Sequence, residues 1–237
     1  MNRRRRSSRD RSRHDAGSQA GRVLPARLVA DRGRPDPAGK PDLPRPYAPA
    51  DLIPLFAEDI RTVVERDPSI RTSAEALLHP ALPALCVHRV AHLLHKRGAR
   101  LTARALMICA RALTGTEIHP GATVGRRVLI DHGAAVVIGE TAVVGDDVTI
   151  YHQVTLGAVG WWRDNRRPPG ERRHPVIGSG CVLGAGSTVL GPVVVGDRAV
   201  IGAQALVLTD VPADTHVAAA KAPPKSYAAL PRTAWMP

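Results

Sequence analysis

Aliphatic residues recur every six positions through the second half of the chain. They sit at Ile118, Val124 and Ile130, and then, after two extra residues, at Ile138, Val144, Ile150 and Leu156. After a 21-residue step they resume at Ile177, Leu183, Val189, Val195, Ile201 and Val207. Glycine follows the aliphatic in most repeats, as in Val124-Gly125, Val144-Gly145, Leu183-Gly184 and Ile201-Gly202. Thirteen aliphatics in this register exceed what chance alternation produces. A period of six fits neither an α-helix nor a simple alternating strand. It fits a parallel β-helix, in which three short strands and three tight turns make a triangular coil of about 18 residues. The aliphatic points inward and stacks on its equivalents, while glycine meets the crowded turn beside it. Coils of this repeat class are left-handed, against the usual right-handed crossover. Aromatics make up only 3% of the chain, which thin, regular layers tolerate better than a sandwich or a bundle would.

The expected architecture is therefore α+β, with a helical domain over 51–114 and a left-handed β-helix over 115–212, followed by a C-terminal segment over 213–237. Leu52, Phe56, Ile60 and Val63 recur at helical spacing, and Pro68 marks a stop. Leu85, Val90, Leu93 and Leu94 form a second stripe that Gly98 is placed to cap. Leu101, Ala105, Ile108, Cys109 and Leu113 form a third, and buried thiols suit Cys86 and Cys109 on these stripes. Residues 158–176 break the six-residue phase and must leave the prism as a loop. A long loop in a compact repeat is usually functional.

The net charge of +12 raises the question of a nucleic-acid partner. Residues 1–50 carry twelve arginines and one lysine against five aspartates, two thirds of that excess. They show no apolar period and read as a disordered basic tail. A basic tail without a basic folded face argues against nucleic-acid binding. Arg3 to Arg6 are followed by the polar run Ser7 to Asp15, not by the apolar stretch of a signal peptide. No apolar run reaches the roughly 20 residues of a membrane span. The three cysteines, Cys86, Cys109 and Cys181, lack disulfide or metal spacing and suit a reducing cytoplasm.

Three polar features interrupt the repeat. Glu117-Ile118-His119-Pro120-Gly121 opens it, Asp131-His132-Gly133 replaces a regular turn, and Arg173-His174-Pro175 ends the long loop. Glu117 and His132 lie most of a coil apart and can approach near a corner, where a carboxylate would orient an imidazole as a general base. The alternatives are structural. Glu117 can pair with Arg126 or Arg127, Asp67 can serve only as the turn residue before Pro68, and Arg173 with His174 can be loop surface. His88, His92 and His95 share a helix face without an acidic or thiol partner, a weak pattern for zinc. Trp161-Trp162 in the loop are costly in water unless they pack on something.

The segment GTEIHPGATVGRRVLIDHGAAVVIGETAVVG, residues 115–145, resembles the start of the β-helix in serine O-acetyltransferases. LPALCVHRVAHLLHKRGA, residues 82–99, resembles the end of that family's helical domain, and Asp67-Pro68 and Arg173-His174-Pro175 extend the match. The resemblance implies transfer of acetyl from acetyl-CoA to the hydroxyl of L-serine, a step toward cysteine. It implies His132 as the general base and Glu117 as its acidic partner. Asp131 and Asp67 would hold the serine ammonium group, and Arg173 and His174 its carboxylate. Ala158, Ala185 and Ala203 would line the path of the pantetheine arm. Lys221 and Lys225 would meet the phosphates of CoA. The thioester is already activated, so no metal is expected. The family's site implies a homotrimer or a dimer of trimers. Members that bind cysteine synthase end in a terminal Ile, whereas this chain ends Ala-Trp-Met-Pro, which speaks against that complex. The alternative activity is acetyl transfer to another small hydroxyl acceptor.

Overall fold

The computed structural model describes Pro41 and residues 43–168 and 170–219. These all fall in one compact unit, Asp36–Pro237. Lys221 and Lys225 lie outside the described residues, as does most of the basic tail. Residues 43–50, expected from the sequence to belong to that tail, are nonetheless part of the fold. The Tyr47 ring packs against His92 and lies under the Arg89 guanidinium.

After a 3-10 turn (Pro49–Asp51) come four α-helices: α1 (Leu52–Arg66), the short α2 (Ser73–Ala76), α3 (Leu82–Lys96) and α4 (Arg100–Thr114). Thr72 caps α2, its hydroxyl accepting from the Glu75 N–H. Gly98 adopts φ +86 just beyond α3, the left-handed residue that a helix end of this type needs.

Strands follow from Glu117 to Val217. They are β1 (Glu117–Ile118), β2 (Thr123–Val124), β3 (Leu129–Ile130), β4 (Val137–Ile138), β5 (Val143–Val144), β6 (Thr149–Ile150) and β7 (Thr155–Gly157). After the long loop, which holds a one-turn helix α5 (Trp161–Asp164), come β8 (Val176–Ile177), β9 (Val182–Leu183), β10 (Thr188–Leu190), β11 (Val194–Val195), β12 (Val200–Ile201), β13 (Leu206–Val207) and β14 (His216–Val217). Up to β13 each strand pairs in parallel with the third one along. Strand β14 pairs with β12, because the turn of chain between β13 and β14 forms only a bridge, Val195 to Val211. The chain thus winds through three sheets: β1-β4-β7-β10-β13, β2-β5-β8-β11 and β3-β6-β9-β12-β14. We call them the first, second and third faces of a left-handed parallel β-helix. All thirteen repeat aliphatics are buried, and the register stacks them. Ile118, Ile138, Leu156, Val189 and Val207 line the first face, and Ile130, Ile150, Leu183 and Ile201 the third. Each such aliphatic contributes roughly 1.5–3 kcal/mol by leaving water.

The helices dock on the β-helix through apolar contacts, Ala81 and Leu85 with its core and Leu82 with Leu129, and through a buried arginine. Arg89 of α3 is fully buried and donates twice to Asp59 of α1, at 2.9 and 3.2 Å. It also donates to the carbonyls of Val124 and Gly125, both at 2.8 Å. A buried guanidinium is tolerable only when its donors are met in this way. At the surface, Glu58 pairs with Arg126 and Arg127, and Asp147 with Arg66 and Arg127.

The third helical stripe departs from expectation. Leu101, Ile108 and Leu113 of α4 are 85%, 60% and 85% exposed, and Cys109 is exposed with them. Helix α4 instead turns Ala103 and Ala110 toward α3, because close helix contact favours the small side chains.

Candidate functional site

The third face joins the first at a corner that repeats every coil. In the regular version one residue adopts positive φ: Gln153, Gly186 and Gln204 at 61°, 68° and 62°. The first such corner has two extra residues and three positive φ values, at His132, Gly133 and Ala135. Ala135 is the regular one. The two-residue step in the repeat therefore builds a wider corner and lifts His132 out of it. The Thr116 hydroxyl donates to the Gly133 carbonyl at 2.8 Å and steadies the loop. A Cβ at Gly133 would fall 2.5 Å from the Thr116 Oγ1 and 2.6 Å from the Ala81 Cβ, so only glycine lets this corner seat against the start of α3.

Seating brings three chain segments together. Asp131 and His132 come from the corner, with the His132 Nε2 3.7 Å from the Asp131 Oδ1. Asp67 comes from the end of α1. Its Oδ1 accepts from the Ser69 N–H at 2.9 Å and the Ser69 hydroxyl at 2.7 Å, and these bonds hold its carboxyl below the ordinary value. His79 comes from the link between α2 and α3. His132 itself is 71% exposed, open to an incoming molecule.

Glu117 is not bonded to His132. Its carboxylate pairs with Arg111 of α4 at 2.8 Å, not with Arg126 or Arg127. Arg111 is largely exposed, and a pair of that kind is worth about 1 kcal/mol or less, so Glu117 can exchange partners cheaply. The carboxylate at His132 in this structure is Asp131.

Arg173 and His174 stand elsewhere. They lie at the corner between the first and second faces, across the first face from His132. Arg173 pairs with Glu140. His174 is buried, its Nδ1 facing the Thr141 N–H at 3.1 Å and hydroxyl at 2.9 Å. Burial, reinforced by the Arg173 charge, pushes its imidazole down to about 4. A Cβ on Gly139 would overlap this ring, so glycine there is a condition for the histidine to lie over the coil. Arg172 pins the loop by donating to the carbonyls of Pro192, Val193 and His174. Within the loop, Arg167 pairs with Asp164 and Glu171. Trp161 and Trp162 stand exposed, edge to face.

The alanines divide the same way. Ala185 and Ala203 occupy the wide corner's column, stacked through Gln153 N–H to Ala134 carbonyl, Gly186 N–H to His152 carbonyl and Gln204 N–H to Ala185 carbonyl bonds. The column thus runs from the wide corner along the prism as Ala134, His152, Ala185 and Ala203, with small residues on either side of His152. Ala158 lies on the other edge, beside the loop of Arg173.

Sequence reasoning missed His79 and His152. The His152 ring meets that of His132 edge to face, centroids 6.1 Å apart. The column position of His152, one coil after Ala134, was a signal for it. His79 had none. Among the described residues, Asp67, His79 and Asp131 are the cluster with metal-like spacing, their donor atoms lying within 4.8 Å of one another. The His79 Nδ1 accepts from the Ala81 N–H, which leaves the proton on Nε2. The atom facing the carboxylates is therefore a donor, not a free lone pair. His88 and His92 are core residues. The His92 Nδ1 bonds the Pro120 carbonyl at 2.9 Å, and burial keeps both rings below the ordinary histidine value.

A family profile described as bacterial transferase hexapeptide (six repeats) matches residues 174–209. The chain is 52% identical to a serine acetyltransferase of Mycobacterium tuberculosis over 162 residues, 68% of each. It is 49% identical to one of Helicobacter pylori over 164 residues, 69% of this chain and 92% of the relative. Soybean serine acetyltransferase complexed with serine superposes with a TM-score of 0.66 at 40% identity, covering 72% of this chain and 68% of that one. A serine acetyltransferase in complex with CoA gives a TM-score of 0.66 at 32% identity, covering 73% and 69%.

Proposed function

The chain belongs to the serine acetyltransferase family, and on that premise we propose that it moves the acetyl group of acetyl-CoA onto the L-serine hydroxyl at the wide corner, with His132 as general base. The observation that carries this reading is the meeting of Asp67, Asp131 and His132 at the head of the column that holds Ala185 and Ala203. Two carboxylates suit an ammonium group, and an exposed imidazole beside them suits the hydroxyl three bonds away.

In this scheme the His132 imidazole takes the serine hydroxyl proton as the oxygen attacks the thioester carbon. The tetrahedral intermediate then collapses, the carbon–sulfur bond breaks, and the imidazolium returns its proton to the leaving thiolate. A carboxylate, Asp131 as placed here or Glu117 once released by Arg111, stabilises the imidazolium. The pantetheine arm runs beside Ala185 and Ala203. Lys221 and Lys225 are assigned to the CoA phosphates.

Arg173, His174 and Ala158 belong to the same reaction only if a second copy brings its own loop corner against the first copy's wide corner. We therefore read the working form as a homotrimer with a site at each interface. The exposed α4 residues Leu101, Ile108 and Leu113 suit the pairing of two trimers. Three free thiols suit a cytoplasmic enzyme, and the product would feed cysteine biosynthesis.

The test is release of CoA thiol with L-serine, homoserine and a sugar in parallel. L-serine should be preferred. His132→Asn should lower turnover by about 10²–10⁴-fold, the usual worth of general-base catalysis, with acetyl-CoA binding nearly unchanged. Glu117→Gln should cost less. Near-normal turnover by a correctly assembled His132→Asn protein would eliminate the mechanism.

A further inference from the structure

His79 is 3% exposed and lies between the two aspartates that the reaction assigns to the ammonium group. The N–H of Ala81 holds its Nδ1 at 3.4 Å, which puts the proton on Nε2 and aims that N–H at the carboxylates. Nε2 lies 3.9 Å from the Asp67 Oδ2, and Asp131 offers an oxygen within 4.8 Å of both. The other Asp67 oxygen is already taken by Ser69. The remaining wall is apolar: Val63, Leu82, Leu85, Val128 and Ile130. A buried imidazole here is not filling space in a generic core. Among the described residues that line this pocket its side chain is the polar one, and it lies by a pair of carboxylates whose charges repel.

We propose that His79 is a positioning residue of the acceptor site, its Nε2–H set between Asp67 and Asp131 so that both carboxylates turn toward the substrate ammonium group. The inference rests on the reading of this corner as the serine site. A neutral N–H orients the carboxylates without cancelling their charge, so the pocket keeps two negative charges for one cation. The distances exceed hydrogen-bond length, and contacts of this kind tighten when a substrate closes its pocket. Three charged or titratable groups face His79: Asp67 from the end of α1, and Asp131 and His132 from the wide corner. Burial outweighs the two carboxylates and holds the imidazole below its ordinary value, so it stays neutral near pH 7. A second proton, gained in acid, would place a cation where the ammonium group binds.

Steady-state kinetics of the full chain test this. Wild type must first acetylate L-serine; failure there overturns the assigned function and is distinct from any effect of the His79 variants. In His79→Leu, the KM for L-serine should rise at least about tenfold, the effect of losing a hydrogen bond to a charged group. The kcat should change much less, and the KM for acetyl-CoA should hold. His79→Gln, which restores an N–H donor that cannot titrate, should recover most of the serine affinity. It should also remove the rise in serine KM that wild type shows on acidification. The inhibition constant of 3-hydroxypropanoate, which keeps hydroxyl and carboxylate but lacks the ammonium group, should stay at the wild-type value. An unchanged serine KM in His79→Leu would overturn the proposal. So would an equal loss across serine KM, acetyl-CoA KM and kcat, or a matching rise in the 3-hydroxypropanoate constant, since each describes a merely structural residue.

Discussion

In the β-helix, Ile150 packs on Ile130 below and Leu183 above, and all three occupy the same position of one repeat. In the helical layer, Val63 of α1 clusters with Ala76, Leu82 and the strand residue Leu129, which share no period. The difference lies in how partners are chosen. A coil brings each strand against the equivalent strand of the next coil, so local order dictates the contact. A helix meets whatever the tertiary fold lays beside it, and its apolar stripe does not say which face will be covered.

Breaking the docking should separate the two regions most. Arg89→Ala leaves Asp59 buried without its partner and should cost about 3–5 kcal/mol. Chemical denaturation should then show the helices melting before the strands, and serine KM should rise because Asp67 leaves the wide corner. A single unchanged transition would mean that the layers are held by something other than this arginine.

Leu183→Ala empties a stacked core position and should cost about 2–5 kcal/mol. Leu113→Ala, on the exposed α4 stripe, should stay within about 0.5 kcal/mol for the isolated chain and shift the assembly state instead. Light scattering beside denaturation distinguishes them. If Leu113→Ala destabilises the subunit itself, the stripe is core after all.

Acid provides a gentler test. The His174 imidazole is held down to about 4, against the ordinary 6.5, first by burial. The unfolded chain therefore binds more protons between these values, and stability that is complete above pH 6.5 is lost as the pH falls toward 4. His174→Gln should lessen that loss, read as the denaturation midpoint at pH 7 against pH 5. An identical loss in both proteins would assign the acid sensitivity to the other histidines that burial holds down, His79, His88, His92 and His119.

The smallest effect should come from deleting residues 1–42. This removes the part of the basic tail before the residues that pack near Tyr47 and should leave serine turnover within about twofold, because a segment without apolar period contributes little core. Cutting on through Tyr47 should do more harm, since its ring packs on His92 and Arg89.

Much of the site could be read in advance because it interrupts a rule. The two-residue step after Ile130 marked Asp131 and His132, and the 21-residue step after Leu156 marked the loop that ends at Arg173 and His174. The resemblance added Asp67, which no period singles out. His79 went unread because a histidine before a proline in a short link has no pattern of its own, and its meaning comes from the carboxylates that converge on it.

The six-residue order by itself determined the β-helix, its inward aliphatics and the place where its corner widens, since each of these follows from contacts between equivalent positions one coil apart. Tertiary structure alone decided which helix faces are covered, that Glu117 meets Arg111 while Asp131 meets His132, and that Arg173 stands across the first face from the corner it would serve. Those outcomes depend on how the helical layer seats on the prism through Arg89 and Gly133. That seating joins residues tens of positions apart, and no local period records it.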